Sequence, residues 1–218
     1  MNSVITRFAP SPTGNLHIGG VRTALINYIV TQQAKKEHSE SKFLLRIEDT
    51  DKKRSTNEFI DNIIDGLNWL GIHYDEEPYI QSKRIKRHQE IAYELINQKK
   101  AYKCICTPED LEKKREENKK NKINLKRLCE TCEDNLKIQS LREGYAIRIT
   151  IPNTEQTYIN DLIQGKITVQ NKELDNFIIL RNDGSPTYML SVVVDDFDMG
   201  VNLIIRGDDH LNNVFRQF

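Results

Sequence analysis

One loop constrains this chain more than any other feature. It reads Pro10-Ser11-Pro12-Thr13-Gly14-Asn15-Leu16-His17-Ile18-Gly19-Gly20 and separates two segments of different hydrophobic period. Residues 3–9 (SVITRFA) alternate apolar and polar side chains, as a short strand does. After the loop, Val21, Leu25, Tyr28 and Ile29 recur at helical spacing, so a helix is predicted to begin near Gly19 or Gly20. Residues 42–48 (KFLLRIE) form a second, more continuously apolar strand. Strand, helix and strand in that order make the right-handed unit of a parallel sheet. The loop then sits at the carboxyl end of a parallel strand, where open α/β sheets bind ligands. Its glycines would let a phosphate approach the backbone, the helix N-terminus would offer unpaired N–H groups, and His17 would add a donor. Spacing alone leaves two readings open, a nucleotide site or a punctuated loop with a solvated histidine.

Further along, Ser55-Thr56-Asn57-Glu58 reads as a capping box ahead of Phe59, Ile63, Leu67 and Leu70, with Gly71 ending that helix. Ile85, His88, Ala92, Leu95 and Ile96 mark one face of another helix. From Ala101 the character changes. Strand signals at 145–151, 157–163, 166–170 and 177–181 are joined by Gln164-Gly165 and Asn182-Asp183-Gly184-Ser185, which predicts an antiparallel insertion. Buried segments return at 188–194 and 201–205, leading into Gly207. The expected plan is a parallel α/β domain in residues 1–100, an inserted subdomain in 101–186, and a return to the first domain in 187–218. The chain stops as a further helix should be under way, so it is expected to be a truncated piece.

Lys plus Arg equals Asp plus Glu at 32 each, which neither predicts nor excludes a nucleic-acid partner. A local basic run stands out: Lys113, Lys114, Arg115, Lys119, Lys120, Lys122, Lys126 and Arg127 against Glu116 and Glu117. Alone, it reads as a solvated helix and loop. No stretch approaches the roughly 20 apolar residues of a membrane span, and the N-terminus lacks a signal pattern. A cytoplasmic monomer is expected, with cysteines as reduced thiols or metal ligands. Cys104-x-Cys106 and Cys129-x-x-Cys132 are close pairs of the kind a tetrahedral structural zinc site uses.

The string TRFAPSPTGNLHIGG resembles the nucleotide-binding "HIGH" signature of class I aminoacyl-tRNA synthetases, here HIGG, in the form of the glutamyl branch. Arg46-Ile47-Glu48-Asp49-Thr50-Asp51, Asp183-Gly184-Ser185-Pro186-Thr187-Tyr188, Val193-Val194-Asp195-Asp196 and Ile205-Arg206-Gly207-Asp208-Asp209-His210 follow in family order. The resemblance covers essentially the whole chain. It implies a Rossmann-like parallel sheet interrupted by a smaller mixed α/β, antiparallel, acceptor-binding insertion. It also implies a reaction: glutamate is activated by ATP with Mg2+ to glutamyl-adenylate and passed to the 3′ end of tRNA(Glu). Such catalysis is mostly positioning and charge stabilisation.

By family position, His17, Gly19 and Gly20 are the expected catalytic residues. Pro12, Thr13, Asp209 and His210 join them around ATP. Glutamate is expected to meet Arg7, Ala9, Ser11, Glu48, Tyr188 and Arg206. Guanidinium offers the fork that a carboxylate matches, and Glu48 would face the ammonium. Arg7 and Arg206 are each expected at the end of a strand. The resemblance also favours structural zinc on Cys104, Cys106, Cys129 and Cys132, against four separate thiols. Where relatives carry histidine after the third cysteine, this chain has Thr131, so Cys132 must substitute. The basic run then becomes a phosphate contact for the tRNA acceptor end. The lysine loop "KMSKS" and the anticodon-reading domain would follow Phe218, and the fragment is expected to be inactive alone.

Alternatives are a glutamyl transferase that modifies a tRNA base, a glutaminyl synthetase, a nucleotidyltransferase sharing the HIGH-type loop, or a non-catalytic tRNA-binding module. Gly207-Asp208-Asp209-His210-Leu211-Asn212-Asn213 has the synthetase form, and intact Arg7, His17, Glu48 and Arg206 argue against a decayed site.

Overall fold

In the computed structural model, which describes residues 3–120 and 144–218, strand β1 (Ile5–Phe8) leads through the Pro/Gly loop into α1 (Ile18–Lys35). Then come β2 (Lys42–Ile47), α2 (Asn57–Trp69) and the short β3 (Tyr79–Ile80). All pairings are parallel in the order β1-β2-β3, with Arg7 opposite Leu44 and Ile47 opposite Ile80. Continuous apolar strands suit this sheet because both of its faces are covered.

Side-chain alternation along β1 and β2 divides the chemistry between those faces. Phe8, Phe43, Leu45 and Ile47 enter one core with Ala24, Ile63, Leu67 and Ile72. Arg7 on β1, and Arg46 with Glu48 at the end of β2, belong to the opposite set. Helix α1 docks on β1 through a polar seam: Thr6 Oγ1 lies 2.7 Å from Thr31 Oγ1 and donates to Asn27 O at 3.3 Å. The predicted helix is present, but its buried positions are Ala24, Asn27 and Thr31, while Leu25 and Ile29 stay largely exposed. Ala24 and Tyr28 give that face its apolar contact with the core, and hydrogen bonding to the Thr6 hydroxyl adds to it.

The cap of α2 lies one residue later than the capping box placed it. Thr56, in extended backbone, accepts from Phe59 N at 3.3 Å, and the Ser55 hydroxyl is buried without a partner among the described residues. Gly71 (φ 71°) closes the helix as expected.

The described chain divides into two compact units, Met1–Ile85 with Val193–His210, and Lys86–Val192 with Leu211–Phe218. In the second, α3 (Ile85–Asn97), whose first residue falls in the first unit, leads into β4 (Ala101–Cys104) and α4 (Pro108–Lys120). β5 (Ala146–Ile149), the hairpin β6 (Gln156–Asp161) and β7 (Gly165–Gln170), and β8 (Ile178–Leu180) follow. β4, β5 and β8 form an antiparallel sheet in that order. The predicted antiparallel pairing is present, although β6 ends at Asp161, where the carboxylate accepts from Ile163 N and Gln164 N, both at 2.8 Å.

The turn before Pro186 needs Gly184 at φ 79°, whose carbonyl accepts from Gln89 Nε2 at 2.9 Å. The apolar run after Pro186 is helix α5 (Tyr188–Asp198), which crosses from the second unit into the first at Val193. α6 (Leu211–Gln217) ends the described chain. No helix among the described residues is long and apolar enough to cross a membrane.

Candidate active site

His17 is the N-cap of α1. Its backbone is extended, and its Nδ1 accepts from Gly19 N at 3.2 Å. An accepting Nδ1 leaves the proton of a neutral imidazole on Nε2, so the exposed ring presents a donor. Glycine at position 19 is what permits this: a Cβ there would sit 3.0 Å from His17 Cε1 and 3.2 Å from Nδ1. The first turn of α1 holds no acidic side chain, so nothing of its own offsets the positive end of the helix dipole. Leu16 anchors the loop from beneath, close against Gly66 of α2 and Gly20. Pro12 is buried, whereas Ser11 and Thr13 are exposed, and Thr13 N donates to Ser11 O at 2.9 Å. At the start of the loop, Glu48 N donates to Pro10 O at 2.9 Å, tying it to the end of β2. Ala9 lies half-buried between Phe8 and that tie.

On the sheet face away from α1, four ionisable side chains meet. Arg7 grips Asp196 through its fork, Nε to Oδ1 at 3.0 Å and Nη2 to Oδ2 at 3.2 Å. The fully buried Arg46 donates to Asp196 through Nη1 and to Glu48 Oε1 through Nη2 at 3.1 Å. Two positive and two negative groups cancel, which lets a sheet face carry charge away from water. Burial pushes the Glu48 carboxyl above its ordinary range; Arg46 and Arg7 pull it back and Asp196 adds to the rise. Burial also works against the Arg46 charge, but Asp196 and Glu48 outweigh it and hold the guanidinium above its usual value. Arg7 Nη1 and Glu48 Oε2 make no hydrogen bond among the described residues. The cluster therefore offers one donor edge and one acceptor oxygen.

Arg206 does not stand at the end of a strand. It lies on an extended segment without strand pairing, residues 201–207. That segment is held beside β1 by Asn202 N donating to Ile5 O at 3.1 Å and by the Asn202 amide on Ser3 O and Ile5 N, both at 2.8 Å. Asn27 of α1 donates to Ile205 O at 3.1 Å, and Arg206 itself is half-buried. Just beyond, His210 N donates to Gly207 O at 3.2 Å, and His210 Nε2 lies 3.7 Å from the exposed Asp209 carboxylate. Tyr188 opens α5 within the second unit.

Of the cysteines, Cys104 is buried at the end of β4, and Cys106 is half-buried beside Leu111 with Lys114 Nζ 3.7 Å from its Sγ. Cys129 and Cys132, with Lys122, Lys126 and Arg127 of the basic run, lie outside the described residues. Lys113 to Lys120 ride on α4, none of whose residues is buried. No cluster of three or more metal-ligating side chains is found among the described residues.

Sequence reasoning overlooked Arg46 and Asp196. The signal was present: a charge inside an apolar run (FLLRI, VVVDDF) must be buried and therefore paired.

Residues 3–218 match the family described as tRNA synthetases class I (E and Q), catalytic domain. Among curated relatives, glutamate–tRNA ligase 2 of Rhizorhabdus wittichii is 51% identical over 215 residues, covering 99% of this chain and 44% of the relative. Glutamate–tRNA ligase of Thermodesulfovibrio yellowstonii is 46% identical over 216 residues, again 44% of the relative. A glutamate tRNA ligase from Elizabethkingia meningosepticum, solved in complex with its amino acid, superposes with a TM-score of 0.86 at 32% identity, covering 99% of this chain and 46% of that one. The chain thus spans less than half the length of these relatives.

Proposed function

Because the chain belongs to the class I tRNA synthetases (E and Q) through their catalytic domain, we propose that it is the amino-acid-activating part of a glutamate–tRNA ligase. The observation that carries the choice of glutamate is the neutral cluster of Arg7, Arg46, Glu48 and Asp196, which leaves a guanidinium edge and a carboxylate oxygen for a ligand. Glutamate has matching groups: a side-chain carboxylate for Arg7 Nη1 and an ammonium for Glu48 Oε2. Arg206, Ala9, Ser11 and Tyr188 complete the set on this reading.

The glutamate α-carboxylate attacks the α-phosphorus of ATP, displacing pyrophosphate and forming glutamyl-adenylate. His17 donates from Nε2 to phosphate oxygens, where charge grows in the transition state, and Gly19 and Gly20 let the phosphates approach the start of α1. Pro12, Thr13, Asp209 and His210 flank the nucleotide. Mg2+, which the family uses with ATP, supplies charge neutralisation on the phosphates. The terminal ribose hydroxyl of tRNA(Glu) then attacks the activated carbonyl and releases AMP. On this reading the insertion that carries Lys113, Lys119 and Lys120 on α4 meets tRNA phosphates.

Zinc belongs to the same reading as a structural ion on Cys104, Cys106, Cys129 and Cys132. The two described thiols fit it: they flank a single residue at the end of β4.

Calorimetry with a non-hydrolysable glutamyl-adenylate mimic, the sulfamoyl adenosine, tests the function. Saturable binding is expected, weakened at least about tenfold in Arg7→Ala through loss of a charge-assisted pair. Absence of binding to the folded chain would sink the proposal and leave a non-catalytic module.

A further inference from the structure

Asp196 is not itself assigned a contact with the ligand, yet Arg7 and Arg46 bond to it directly and Glu48 is tied to it through Arg46. It accepts from Nε and Nη2 of Arg7, so the guanidinium plane is set by Asp196 and the Nη1 end is left to turn outward. Asp196 also takes Arg46 Nη1, leaving Nη2 of the same guanidinium for Glu48 Oε1. The two arginines come from neighbouring parallel strands and Asp196 from α5, so one carboxylate joins three elements. Arg46 is fully buried and Arg7 is 4% exposed, so neither can find water in place of a lost partner.

We infer that Asp196 is a positioning residue that sets side-chain specificity: by occupying the fork of Arg7, it presents the Nη1 edge to the ligand's carboxylate and keeps Arg7 off Glu48. The inference rests on the reading of Arg7 as the partner of the ligand's side-chain carboxylate. Replacing Asp196 with asparagine keeps the shape but removes the charge. Two buried guanidiniums then compete for Glu48, whose Oε2 makes no hydrogen bond among the described residues. Arg7 swings towards Glu48, and one rearrangement costs both the carboxylate donor and the ammonium acceptor. Asp195, next in sequence, does different work: its carboxylate is held by Gln81 Nε2 at 2.9 Å and Arg84 Nε at 2.8 Å, away from this cluster.

The test compares two sulfamoyl adenosines, the glutamyl compound and the norvalyl compound, which has a methyl group in place of the side-chain carboxylate. Binding of each is measured on the full chain and on D196N, D196E, R7A and R7A/D196N. Wild type should prefer the glutamyl compound. D196N should lose about tenfold or more of that preference, D196E should lie in between, and R7A should lose it too. D196N should change nothing further in the R7A background, because Asp196 acts through Arg7. If D196N fails to fold, D196E against R7A/D196E carries the same comparison.

Unchanged or stronger preference in folded D196N, or additive losses in the double variant, would overturn the inference while leaving the proposed function standing. Failure of wild type to bind either compound would instead remove the proposed function.

Discussion

Glu48 holds a carboxyl whose proton is favoured by burial more than Arg46 can counter. A raised folded-state value means the folded chain keeps a proton that the unfolded chain has already released. The stabilising contribution of Glu48 is therefore complete below the ordinary glutamate value and is lost as pH rises through the raised one. An ammonium ligand needs the ionised form, so its affinity should climb over that same window, with proton release on binding. Calorimetry in buffers of different ionisation heat reads this directly; affinity that stays flat, with no proton released, as pH rises from the ordinary glutamate range upward would remove Glu48 as the ammonium partner. His17 makes a different demand. With Nδ1 occupied by Gly19 N, only Nε2 can serve a phosphate, and its help grows as charge develops. His17→Ala should slow adenylate formation by about a hundredfold while leaving glutamate affinity within about twofold. A rapid-quench measurement showing the loss in affinity instead would reassign the residue.

At the scale of elements, the site loop is held by the packing of two helices on one residue. Leu16 precedes His17, and its Cδ2 would lie 2.9 Å from a Cβ at position 66. Alanine normally improves a helix interior by about 1 kcal/mol over glycine. Here the added methyl must push the end of the Leu16 side chain, so Gly66→Ala should forfeit that gain and leave stability at or slightly below that of the unaltered chain. Gly14→Ala, which meets nothing within 4 Å, is the matched control. Thermal denaturation compares the two; a gain in Gly66→Ala would mean that Leu16 moves freely.

The cap of α2 makes the same point about local context. Thr56→Ala should cost about 1 kcal/mol, and Ser55→Ala should cost less, since the Ser55 hydroxyl has no partner among the described residues to lose. Urea titration of the two variants separates them, and a reversed ranking would restore the cap to Ser55.

For the whole molecule, the strongest remaining expectation concerns metal. Protein purified without chelator should carry about one zinc per chain. Chelation should raise hydrogen exchange in Ala101–Cys104 and Pro108–Lys120 while β1 and β2 keep their protection, because those strands are held by apolar packing instead. Metal-free native protein with unchanged exchange would defeat the zinc proposal and leave the activation chemistry untouched.

The sequence by itself determined the parallel strand-loop-helix-strand unit, the antiparallel pairing, and the family. Each depends on local periodicity, on turn residues such as Gly184, or on contiguous motifs, all of which are written along the chain. Tertiary structure alone decided that α1 docks by Asn27 and Thr31, that Arg206 rides an unpaired segment beside β1, and that Asp196 closes the charge cluster. Those outcomes depend on partners up to 199 residues apart, Ser3 with Asn202 and Arg7 with Asp196 among them. A residue sequence can show that a buried charge needs a partner; only the assembled sheet and helix select which one.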